Sequence, residues 1–210
     1  EGENMLLKEI FDEIDKRQDE MVNHRRHIHE NPELSFEEVE TAKYLADYYK
    51  DKDVEVTKNM GGNGLRVVID TGKPGKTIAL RADFDALPIQ EETGLPFASK
   101  NPGVMHACGH DMHATALLGA ARLLKAREAE LVDASATVKL LFQPGEETFE
   151  GARAAIADGL LENPRPQAAF AMHVNSQSPL GLVLYGSPAL SGVYGFRITL
   201  QGKGGHGSSP

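Results

Sequence analysis

Thr137-Val138-Lys139-Leu140-Leu141-Phe142 runs straight into Gln143-Pro144-Gly145-Glu146-Glu147. A nearly continuous apolar run of strand length, closed by Pro-Gly, reads as a buried strand ending in a turn, with two adjacent carboxylates at its carboxyl end. Working outward, His113 to Lys125 packs small and apolar residues into a helix before this strand. After it come an Ala-rich helix, Phe149 to Asp158, with Gly159 near its C-cap, and a further strand, Ala168 to Val174. Upstream, Val54 to Lys58, Gly64 to Asp70 and Thr77 to Arg81 are β-branched runs separated by glycine and proline, and they read as strands. Earlier still, Leu7, Ile10, Phe11, Ile14, Met21 and Ile28 recur at helical spacing, so one amphipathic helix is expected there, stopped by Asn31-Pro32. A second helix is expected from Phe36 to Lys50, with Ser35 as N-cap and Glu38 completing a capping box. Strands alternating with helices imply an α/β fold, in which ligands collect beyond the carboxyl ends of strands. From about Ser187 the pattern changes to a glycine-rich stretch and an alternating strand, Tyr194 to Gln201. The expected division is therefore a first domain over 1–186 and the start of a second over 187–210.

Composition narrows the function. Hydrophobic residues make up 40% and charged residues 25%, as in a folded globular protein. Acids outnumber bases 31 to 22, for a net charge of −9, which disfavours nucleic acid as a ligand. No apolar run approaches the roughly 20 residues that span a bilayer, and Glu1-Gly2-Glu3-Asn4-Met5 lacks the features of a signal peptide, so a soluble, cytoplasmic protein is expected. The single cysteine, Cys108, has no intrachain partner for a disulfide, which turns attention to its chemistry as a thiolate.

A loop of some twenty residues rich in Gly, Pro and Asn follows Leu87-Pro88 and leads into His106-Ala107-Cys108-Gly109-His110-Asp111, with His113 close behind. Thiolate and imidazole together suit zinc and similar metals, although a lone cysteine is more often a small buried hydrophobe. Glu146 and Glu147 would repel each other in a low-dielectric site unless a cation accompanied them. In extended chain they would point to opposite sides, one toward metal and one toward a substrate water. Read alone, the pair equally fits the first turn of a helix. His173, in Ala171-Met172-His173-Val174, stands at a strand end like the other two clusters. Gly202-Lys203-Gly204-Gly205-His206-Gly207-Ser208 is either a turn with an incidental histidine or an anion-cradling loop, and it does not fit a P-loop.

These segments, with Arg25-Arg26-His27-Ile28-His29, Pro32-Glu33-Leu34 and Leu80-Arg81-Ala82-Asp83-Phe84-Asp85-Ala86-Leu87-Pro88, resemble the metal-dependent aminoacylase and carboxypeptidase superfamily. The likeness is to its branch of N-acyl-amino-acid amidohydrolases, hippurate hydrolases and auxin-conjugate hydrolases. The resemblance implies a mixed-sheet α/β/α metallopeptidase domain, followed by the start of a small α+β lid that also forms a homodimer. It implies two divalent metal ions, zinc or manganese with cobalt or nickel possible, held by Cys108, His110, Glu147 and His173. By the same resemblance Glu146 is the general base, His206 helps hold the developing oxyanion, and Asp85 lies just behind the metals. Other branches place a metal-binding histidine at the position of Asp83. Members of the family add a further histidine beyond the lid, a position to which none of the eight histidines here corresponds. The implied reaction is hydrolysis of a small N-acyl amino acid to a carboxylic acid and a free amino acid. Two other readings remain: a hydrolase using Cys108 as nucleophile, and a metal-binding or assembly module without catalysis.

Overall fold

The computed structural model describes residues 2–186 and 192–209, in two compact units, 1–174 and 175–210. The expected boundary at 186/187 borders residues 187–191, which lie outside the described residues. In the first unit the elements run α1 (Gly2–Asp15), α2 (Gln18–Glu30), α3 (Val39–Asp47), β1 (Glu55–Met60), β2 (Gly64–Ile69), β3 (Lys76–Asp83), α4 (His110–Ala126), α5 (Glu128–Asp133), β4 (Ala136–Gln143), α6 (Gly151–Ala157) and β5 (Ala168–Ala171).

The strands form one mixed sheet in the order β1-β2-β4-β3-β5. β1 and β2 are antiparallel, as are β2 and β4, whereas β3 runs parallel to both β4 and β5. Alternation along β4 sorts its side chains between two cores: Val138, Leu140 and Phe142 join Ile28, Leu45, Leu117 and Leu118 on one face, and Leu141 joins Met60, Ala155 and Leu160 on the other. Helices therefore cover both faces, and the α/β/α expectation holds. Because β4, β3 and β5 are adjacent and parallel, their carboxyl ends, at Gln143, Asp83 and Ala171, open along one edge.

Four local expectations are corrected. The helix expected from Leu7 to Ile28 is two, α1 and α2, broken at Lys16-Arg17, where the Arg17 amide turns back to Ile14 O at 2.9 Å. No capping box forms at α3. Glu33 supplies the cap instead, its carboxylate accepting from the Glu40 and Thr41 amides at 3.1 and 2.7 Å. Ser35 and Glu38 are drawn to buried partners, Asp85 and the Gly145 amide. The short α5 was missed because it buries no residue, so it has no apolar stripe to betray it. In the second unit, Tyr194 to Gln201 keep an alternating pattern but form no strand, since residues 192–209 offer no ladder partner beyond a single bridge between His206 and Ser209.

Candidate metal centre

His110 opens α4, the helix that follows the long loop, and its ring is completely buried. Gly109 supplies the turn into the helix at φ +102°, a backbone region that a side chain would strain. The ring is held from behind: His110 Nδ1 donates to Asp85 Oδ1 at 3.0 Å, which leaves Nε2 facing the other way. Asp85 is itself fixed, its Oδ2 accepting from Ser35 Oγ at 2.7 Å and from the Glu147 amide at 3.0 Å.

Around His110 Nε2 stand three carboxylates: Glu147 Oε1 at 3.7 Å, Glu146 Oε2 at 3.8 Å and Asp83 Oδ2 at 3.7 Å. Glu146 and Glu147 lie in a tight turn, the Phe149 amide donating to Glu146 O at 2.8 Å, and not in extended chain. The expectation that they would point to opposite sides is therefore corrected, for both approach the same nitrogen. Glu38, wholly buried, holds this turn by accepting from the Gly145 amide at 2.8 Å. Gly145 is needed there: it sits at φ +57°, and a Cβ would meet the Phe36 ring at 2.7 Å.

Beyond the end of β5, His173 Nδ1 donates to Val174 O at 2.6 Å, which leaves Nε2 as an acceptor, 3.4 Å from the Cys108 thiol. Both histidines thus tie up one ring nitrogen and present the other, as metal-ligating histidines do. Cys108, His110 and His173 can offer ligand atoms to a common point, as can His110, Glu146 and Glu147. A third group, Asp83, His110 and His113, is as compact but not free to bind. His113 Nδ1 donates to Asp83 Oδ1 at 2.6 Å, its Nε2 accepts from the Val174 amide at 3.0 Å, and Asp83 Oδ2 is paired with Arg81 Nη1 at 2.7 Å.

The donor set fits a divalent cation. His110 Nε2 and Glu147 Oε1 are buried with no hydrogen-bond partner among the described residues, a costly condition unless an ion satisfies them. The acid–base properties point the same way. Burial, followed by Glu147, Glu146 and Asp83, pushes the Cys108 thiol up to about 12. Burial and then Glu146 raise the Glu147 carboxyl against the pull of His110. Burial drives His110 down, but the Asp85 hydrogen bond and the charges of Asp83, Asp85 and Glu147 outweigh it and raise the ring. All three groups hold their protons more tightly than usual, Cys108 and Glu147 chiefly because they are buried and His110 because of the carboxylates around it.

Of the seven residues singled out in the sequence, Cys108, His110, Glu146, Glu147 and His173 converge, and Asp85 stands behind them. His206 belongs to the second unit, where its Nδ1 accepts from Ser208 Oγ at 3.0 Å and from the Ser208 amide at 3.3 Å. His106, close in sequence to Cys108, is buried without a partner for either ring nitrogen among the described residues, and burial pushes it down to about 4. From sequence, Ser35 and Glu38 had only a capping role, and Arg81, noted within a motif, and His113, noted beside Cys108, had no assigned part in the site.

The family model for peptidase family M20/M25/M40 matches residues 79–187, which contain every converging residue. An N-acetylcysteine deacetylase of Bacillus subtilis (strain 168) is 43% identical over 192 residues, 90% of this chain and 49% of that protein. A hippurate hydrolase of Campylobacter jejuni is 41% identical over 209 residues, 98% of this chain and 51% of that protein. The crystal structure of a dinuclear metal-binding M20-family peptidase from Bacillus subtilis matches with a TM-score of 0.73 at 43% identity, covering 80% of this chain and 45% of the other. The chain spans about half the length of the curated relatives it matches.

Proposed function

Because the chain belongs to peptidase family M20/M25/M40, we propose that it carries the metal centre of a hydrolase cleaving the amide bond of small N-acyl amino acids. The observation that carries this reading is the convergence on His110, with its buried Nε2 and Glu147 Oε1 unpartnered among Glu146, Cys108 and His173. The relatives' activities, on N-acetylcysteine and hippurate, support the substrate class. Cys108, His110, Glu147 and His173 are the proposed ligands of two divalent ions. Zinc or manganese leads, and cobalt or nickel also suits these donors.

Bound there, the ions supply Lewis-acid polarisation of the amide carbonyl and acidify the attacking water. Glu146 is the proposed base, its side chain 34% exposed against 19% for Glu147, which gives it access to an incoming substrate. It takes a proton from the water and delivers it to the departing nitrogen. The water's hydroxyl ends on the acyl carbon and its proton on the amine, giving a carboxylic acid and a free amino acid. Asp85 orients His110 throughout. His206, from the second unit, is proposed to donate to the developing oxyanion, a contact worth roughly 3 to 4 kcal/mol when well placed. The same reading includes a homodimer through the second unit and a reducing, cytoplasmic setting that keeps Cys108 from oxidation.

Glu146→Gln should lower turnover of N-acetyl amino acids and hippurate by about 10²- to 10⁴-fold while elemental analysis finds the metal content unchanged. Near-normal turnover by that variant would remove Glu146 from the mechanism. Metal bound by the parent protein without any amide hydrolysis would favour a binding or assembly module. A cysteine-nucleophile hydrolase is disfavoured because it leaves Glu146, Glu147 and His173, gathered around the same site, without a role. Hydrolysis that survives chelation but not iodoacetamide would revive it.

A further inference from the structure

The paired residues of β5 end at Ala171, opposite Arg81, so His173 lies two residues beyond the last ladder position. What fixes it is a side chain. His113, on α4 one turn after His110, is buried, and its Nε2 accepts from the Val174 amide at 3.0 Å. His113 has this lone pair to offer because its proton sits on Nδ1, which donates to Asp83 Oδ1 at 2.6 Å. Asp83 is locked in turn by Arg81 Nη1 at 2.7 Å, and Arg81 Nε and Nη2 donate to Gln143 Oε1 at 2.9 and 2.7 Å. The chain Gln143, Arg81, Asp83, His113, Val174 therefore links the ends of β4 and β3 and the first turns of α4 to the stretch that follows β5. A second contact closes the frame. The Val174 side chain fills the space over Gly109, where a Cβ would lie 2.5 Å from Val174 Cγ2, between Cys108 and His110.

We infer that His113 is a positioning residue that sets the His173 ring opposite Cys108 by holding the Val174 amide, with Asp83 selecting the tautomer that lets it do so. The inference rests on the proposed metal centre and adds a residue that binds no metal itself. The His113 and His173 rings meet edge to face at 4.6 Å, so a shift of one displaces the other.

Two substitutions divide the possible roles of His113. His113→Asn keeps a donor for Asp83 but reaches no acceptor to Val174, whereas His113→Gln can present its oxygen to Val174 and loses Asp83. Metal-free protein is titrated with Zn²⁺ or Co²⁺ against a chromophoric chelator, alongside amide hydrogen exchange at Val174. Positioning requires that His113→Asn lose about 10- to 100-fold in metal affinity, with Val174 exchange accelerated, and that His113→Gln recover most of both. The opposite order, Asn near the parent and Gln impaired, makes His113 a mere partner for the buried Asp83 and overturns the inference. Parent-level affinity in both variants overturns it as well while leaving the metal centre standing. Failure of the parent protein to bind either ion overturns the proposed centre instead. Should neither variant fold, the parent alone decides: a Val174 amide that exchanges as fast as free peptide contradicts the His113 bond.

Discussion

Asp83 and Asp85 stand two residues apart at the end of β3 and orient two different rings. Asp85 turns His110 toward the site; Asp83 turns His113 away from metal and onto the backbone. Burial pushes the Asp83 carboxyl up, yet the His113 hydrogen bond and the charges of His110 and Arg81 prevail and hold it at about 2, below its ordinary 3.8. A carboxyl depressed by folding binds more protons when unfolded. Its contribution to stability is therefore complete above its ordinary value and disappears as pH falls through about 2. The stability gap between the parent and Asp83→Asn, measured by urea unfolding, should be widest above pH 4 and shrink toward zero near pH 2. A gap that is constant across that range would mean that ionisation of Asp83 contributes nothing. The family resemblance marked Asp85 as a residue near the metals and registered Asp83 only as the site of a missing histidine. The role of Asp83 depends on His113, thirty positions away, and no local pattern encodes that pairing. Ser35 and Glu38 teach the same lesson in reverse: their spacing spells a capping box, but buried acceptors and donors at Asp85 and Gly145 outbid an exposed helix end.

Among the elements, β1 to β5 were legible to within a few residues because apolar and β-branched runs between glycines and prolines can hardly be anything else. The join between α1 and α2 was not, since Lys16-Arg17 carries no breaker and the apolar spacing continues through it. β4 holds one departure from its pattern. Lys139 lies fully buried in this strand, on the face opposite Leu140, and its ammonium donates to Glu162 O at 2.7 Å, to Pro164 O and, at 3.4 Å, to Leu160 O. It thereby ties the segment between α6 and β5 to the centre of the sheet. Lys139→Met preserves the apolar stem and abandons those carbonyls, so it should destabilise the protein by roughly 2 to 3 kcal/mol. Chemical denaturation measures this, and an unchanged midpoint would show that water replaces the ammonium freely.

At the scale of the molecule, the mixed sheet gathers the proposed ligands from distant stretches of chain and gathers much negative charge with them. The protein carries a net charge of −9, and three carboxylates stand within 3.8 Å of His110 Nε2. A divalent ion that binds only the folded site stabilises it by mass action, about 2.7 kcal/mol at a hundred times its dissociation constant. Chelator-treated protein should consequently melt several degrees lower and recover on addition of Zn²⁺ or Mn²⁺, with Cys108→Ser showing a smaller recovery in a thermal scan. Equal melting temperatures with and without metal would argue that no ion is held by the folded form. α4 runs for 17 residues, and its first residue is His110, whose Nε2 stands among the carboxylates. A helix of that length presents about half a positive charge at its start, a permanent counter-charge that no chelator removes. Ligand and dipole share one backbone, so any redesign that trims or shifts the beginning of α4 alters both together: the strength of the field at the site cannot be tuned independently of the residue that binds there.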